Sequence, residues 1–110
     1  MAGEEKMLIA GEWCNADGGE TMDVNDPSCG ALITTVPRGG VTDVERAISA
    51  SRAAMASPEW AGLDPAGRGR ILQKMAHSTY AGAKDLAKLE SQNNGKTFRE
   101  ALSEIRYAAW

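Results

Sequence analysis

Apolar positions change period once along the chain. From Met7 to Val36 they come as short runs, Met7-Leu8-Ile9 and Ala31-Leu32-Ile33-Thr34-Thr35-Val36, separated by turn residues; from Thr42 onwards they recur three and four positions apart. Short β-branched runs bounded by turns read as strands, and the later spacing reads as helices. Asn15-Ala16-Asp17-Gly18-Gly19 and Asp26-Pro27-Ser28-Cys29-Gly30 have the chemistry of chain reversals, because Asp-Gly and Gly-Gly accept positive φ and proline presets the second turn position. Three strands are therefore expected, Met7 to Ile9, Glu20 to Asn25 and Ala31 to Val36, in a small antiparallel meander closed by Pro37. So few large side chains cannot hold a sheet alone, and the meander must pack on something.

The helical half carries its own punctuation. Thr42 with Glu45 reads as a capping box opening a helix whose inward face is Val44, Ala47, Ile48, Ser51 and Met55, and Ser57-Pro58 stops it. Glu59-Trp60-Ala61 reads as a short turn with Trp60 buried between helices. Asp64-Pro65 is an N-cap and first helical position, followed by an apolar face at Ile71, Leu72, Met75, Ala76 and Thr79; Gly67 and Gly69 weaken its first turns. A break near Gly82 precedes a helix from Ala83 to Gln92. Asn93-Asn94-Gly95 then supplies residues that tolerate the left-handed conformation ending a helix, with Gly95 taking the positive φ, and Thr97 with Glu100 opens the next. That last helix runs to Trp110 on an inner face of Phe98, Ala101, Leu102, Ile105, Ala108 and Ala109. Trp110 arrives inside a helical period with no stop residue, as if the chain were cut. The expectation is an α+β unit of short antiparallel strands followed by about four helices, spanning residues 7–110 after a flexible lead of residues 1–6.

Composition narrows the functional classes. The 110 residues are 43% hydrophobic and 25% charged, an ordinary globular balance for one small domain. A net charge of -3 offers no basic field for nucleic acid, and no apolar run approaches the length of a membrane span. The polar, acidic N-terminus is unlike a secretory signal, so a cytoplasmic protein is expected. Cys14 and Cys29 have no C-x-x-C spacing and the single histidine, His77, has no acid or cysteine beside it; reduced thiols and a surface or structural histidine are expected, with no zinc site.

Motifs for chemistry are missing. There is no G-x-G-x-x-G, H-E-x-x-H or G-x-S-x-G. Gly95-Lys96-Thr97 ends like a phosphate-binding loop, but Glu90 stands where its first glycine is needed, so the stretch is a helix joint.

Leu89-Glu90-Ser91-Gln92-Asn93-Asn94-Gly95-Lys96 resembles the Leu-Glu-x-x-Asp-x-Gly-Lys segment of the aldehyde dehydrogenase superfamily. Ile9-Ala10-Gly11-Glu12-Trp13, Val24-Asn25-Asp26-Pro27, Asp43-Val44-Glu45-Arg46-Ala47-Ile48, Trp60-Ala61 and Arg68-Gly69-Arg70-Ile71-Leu72 follow the family's N-terminal pattern in order and spacing. The resemblance implies that the chain is the N-terminal part of the dinucleotide-binding domain of an α/β, Rossmann-like enzyme. That parent is a homo-oligomer oxidising an aldehyde to a carboxylic acid with NAD or NADP. In the family a cysteine thiolate adds to the carbonyl, hydride passes to the nicotinamide and a glutamate activates water. The family's catalytic and cofactor-binding residues lie beyond position 110, so the resemblance assigns this segment no catalytic or cofactor-binding residue and predicts it inactive alone, with no cofactor bound. It also implies a monovalent cation on the main-chain oxygens of Val24 and Asn25 with Asn93, although Asn93 stands where the family has an acid, and a hard cation favours a carboxylate. A different class of reading, a free-standing α+β interaction module without catalytic activity, fits the length and the missing motifs.

Overall fold

The computed structural model describes residues 5–110, grouped into two compact units: one holds the chain through Asn25 and Leu32–Gly62, the other Asp26–Ala31 and Leu63–Trp110. The expected flexible lead lies outside the described residues over positions 1–4, while Glu5 donates its backbone N–H to Thr35 O at 3.1 Å.

Among the described residues the first unit contains four strands rather than the expected three. Strand β1 (Met7–Ile9) pairs antiparallel with β2 (Glu12–Cys14), and β3 (Thr21–Asn25) with β4 (Leu32–Pro37), giving two two-stranded sheets instead of one meander. The unexpected strand follows from Ala10 (φ 53°) and Gly11 (φ 81°), two successive left-handed residues that reverse the chain in two positions. Alanine is an uncommon choice for that conformation, which is why Gly11 read as a strand end rather than a hairpin. The Asp17-Gly18-Gly19 turn forms as expected, closed by Gly19 N–H to Ala16 O at 2.8 Å. Between β3 and β4 the register steps from Val24↔Thr34 to Asn25↔Leu32, a bulge that leaves Ile33 without a ladder partner.

Helix α1 (Val41–Ala56) opens one residue earlier than Thr42, on Gly40 as N-cap. The expected Thr42–Glu45 capping box is replaced by Asp43, whose Oδ2 accepts the Gly40 N–H at 3.0 Å. Ser57 ends α1 in extended conformation, and Pro58 begins the one-turn helix α2 (Pro58–Ala61), where a turn was expected; its Trp60 is half-buried rather than a buried plug.

In the second unit α3 (Pro65–Ala81) starts as anticipated, Asp64 Oδ1 accepting the Gly67 N–H at 2.6 Å. Gly82 separates it from α4 (Ala83–Asn94), two residues longer than expected, and α5 (Phe98–Ala108) follows. These helices meet through small side chains: Ala83, Ala87 and Ala101 are fully buried or nearly so. The expected inward faces are largely open. Val44, Ile48 and Met55 on α1, Ile71, Leu72 and Met75 on α3 and Phe98 on α5 are all exposed, and no large side chain among the described residues is fully enclosed. The periodicity located the apolar stripes, but the described elements supply no side chains to cover them.

Candidate functional site

The densest polar constellation is the joint between α4 and α5. Gly95 sits at φ 79°, donating its N–H to Ser91 O at 2.9 Å, so α4 ends in the left-handed cap that Asn93-Asn94-Gly95 announced. A Cβ at Gly95 would stand 3.0 Å from Pro27 Cγ, so the position is closed by backbone strain and by the neighbouring turn together. Asn94 Oδ1 accepts the Lys96 N–H at 3.0 Å and Ser91 Oγ–H donates to Lys96 O at 2.7 Å. Thr97 then caps α5 reciprocally: its Oγ accepts the Glu100 N–H at 3.3 Å while Glu100 Oε2 accepts from the Thr97 N–H at 3.3 Å.

Lys96 connects the two helices. Its ammonium donates to Glu90 Oε1 on α4 at 2.8 Å and to Glu104 Oε2 on α5. These bonds, from Glu104 first and Glu90 second, hold the Lys96 ammonium well above its ordinary range, and the Lys96 hydrogen bond pulls the Glu90 carboxyl down. Beside the joint, Asp26 accepts from the Ser28 hydroxyl at 2.6 Å and its N–H at 2.8 Å, which lowers the Asp26 carboxyl. Asp26, Ser28, Lys88, Ser91, Gln92 and Phe98 line an open groove of about 350 Å³ there.

A second polar centre lies in the first unit. Asp43 is 2% exposed and accepts the Asp17 N–H on both oxygens at 3.2 Å, the Gly40 N–H at 3.0 Å and Arg46 Nη1 at 3.4 Å. The Gly40 N–H is the largest influence lowering its pKa, ahead of the Asp17 N–H and the Arg46 charge, while burial opposes them. Sequence reasoning placed Asp43 in a family pattern without seeing this role. The available signal was a glycine three residues before an acid, the spacing of an N-cap and its N3 partner.

Cys14 is half-buried and Cys29 exposed, both free thiols, and His77 is exposed on α3. Among the described residues no group of three or more His, Cys, Asp or Glu could hold a metal ion, and no helix is long and apolar enough to cross a membrane. Of the cation set, Val24 and Asn25 close β3 in the first unit and Asn93 lies exposed on the last turn of α4 in the second. A dinucleotide pyrophosphate would seek free N–H groups at a helix start. Here Asp43 occupies that position on α1, Asp64 on α3 and Thr97 with Glu100 on α5. A side chain thus takes up a backbone N–H at the starts of α1, α3 and α5, whereas α4 begins on Gly82 with no side-chain cap.

Residues 13–110 match the aldehyde dehydrogenase family. This chain belongs to that family. It is 41% identical over 91 residues to the phenylacetaldehyde dehydrogenase of Pseudomonas fluorescens, covering 83% of this chain and 18% of that one. With the glutarate-semialdehyde dehydrogenase of Pseudomonas putida the identity is 37% over 105 residues, covering 96% and 22%. Its fold superposes on the crystal structure of an NAD-dependent aldehyde dehydrogenase from Sinorhizobium meliloti with a TM-score of 0.91 at 31% identity, over 99% of this chain and 22% of that chain. An NAD+ complex of an aldehyde dehydrogenase from Bacillus cereus gives a TM-score of 0.88 at 31% identity, over 97% and 23%. The chain thus spans about a fifth of the length of these relatives, and it folds as an α+β segment of the aldehyde dehydrogenase fold.

Proposed function

We propose that this chain is the N-terminal part of the dinucleotide-binding domain of an NAD(P)-dependent aldehyde dehydrogenase, carried on a longer polypeptide that oxidises an aldehyde to a carboxylic acid. The observation supporting this most strongly is that nearly the whole chain, 99% of it, superposes on 22% of an NAD-dependent aldehyde dehydrogenase at a TM-score of 0.91. A free-standing interaction module would have no reason to keep that fold at 31% identity while leaving its large apolar side chains uncovered. In this reading the segment's own residues build structure: Asp43 fixes a turn on α1, and Gly95 with Lys96 fixes α5 against α4. The starts of α1, α3 and α5 are occupied by this chain's own side chains, and in this reading the dinucleotide is held by residues outside this chain, with no cofactor bound by the segment alone. The longer protein is proposed to work in the cytoplasm as a homo-oligomer. For the monovalent cation, two main-chain oxygens and the neutral Asn93 amide leave no carboxylate to offset a hard cation's charge, so this donor set fits poorly.

The test is to express the reading frame as it continues beyond the Trp110 codon and to follow NAD(P)H formation with a panel of aldehydes. The reading expects turnover by the longer protein and none above a buffer blank by the 110-residue chain. A stop codon directly after Trp110, or a longer protein that reduces neither cofactor with any aldehyde, contradicts it.

A further inference from the structure

We draw no further inference here: the strongest candidate, the open groove beside the α4–α5 joint, has its charged side chains Asp26, Lys88 and Lys96 already paired with Ser28, Asp85, Glu90 and Glu104, and nothing in the structure shows what would occupy it.

Discussion

The carboxylate of Asp43 accepts the backbone N–H of Asp17 through both oxygens at 3.2 Å, across 26 positions of sequence. A helix-capping acid is thereby also the clasp of a distant turn. Replacing it with alanine orphans two N–H donors at once, those of Gly40 and Asp17, and leaves Arg46 without its partner. Asp43→Ala in the longer polypeptide should lower the melting temperature by several degrees and raise amide exchange at Asp17 and Gly40 first. Unchanged exchange at those two amides would show that the clasp does not hold the turn.

Acid should loosen the same clasp. The folded Asp43 carboxyl titrates below its ordinary value of 3.8, so its stabilisation is complete above that pH and is lost as pH falls through the lowered folded value. Glu90 has the same sign, losing its contribution below its ordinary 4.5. Lys96 is opposite: its raised value keeps its contribution complete below 10.5, and that is lost only far into alkali. Amide exchange at Asp17 should therefore be flat from neutral pH down to about 4 once corrected for intrinsic rates, and should climb below that. In Asp43→Asn the climb should vanish; its persistence would assign the acid response to another group.

Gly95 should not tolerate a side chain. At φ 79° a non-glycine residue costs on the order of 1–3 kcal/mol, and the Pro27 contact at 3.0 Å adds to it. Gly95→Val should be the more damaging change and Gly95→Asn the milder, because asparagine visits the left-handed region more readily. Gly82→Ala is the control: Gly82 has φ −86° and room at 3.5 Å from Ser78 O, so the substitution should be neutral or stabilising by roughly 0.4–1 kcal/mol. Equal melting temperatures for Gly95→Val and wild type, measured in the longer polypeptide, would contradict the assigned cap.

The joint, the Asp64-Pro65 start and the Ser57-Pro58 stop were legible because each depends on residues within four positions of one another. The β1–β2 hairpin was not, since Ala10 adopts a conformation that its side chain does not announce. The start of α1 was misplaced for a related reason. Thr42 and Glu45 have the spacing of a capping box, but Asp43 is drawn to Gly40 by a second donor, Asp17, which comes from a turn that local spacing cannot reveal. Lys96 was read as part of a motif, while its partnership with Glu104 depends on how α5 folds back beside α4. The stripes on α1 and α3 were located correctly and judged inward because periodicity reports which face is apolar, not what covers it.

Lys96 should matter through charge rather than bulk. Lys96→Met leaves Glu90 and Glu104 facing each other without a cation, whereas Lys96→Arg keeps one. The methionine variant should loosen amide exchange across Asn93–Thr97 and recover partly in high salt, which screens the two carboxylates. Wild-type exchange in Lys96→Met at low salt would mean that the glycine cap and the Thr97–Glu100 box hold the joint by themselves.

Under the proposed reading these residues form a structural part whose apolar faces are completed by other sequence. Trp13, Phe98 and Trp110 are 69%, 42% and 100% exposed, and each large side chain left in water forgoes roughly 1.5–3 kcal/mol against a typical domain stability of about 5–15 kcal/mol. Thermal unfolding of the 110-residue chain, followed by near-ultraviolet circular dichroism of its tryptophans with the association state measured in parallel, tests this most directly. The expected result is a weak tryptophan signal with a broad, non-cooperative loss, or association at rising concentration; a monomer with a strong signal and a sharp cooperative transition would overturn the proposed reading.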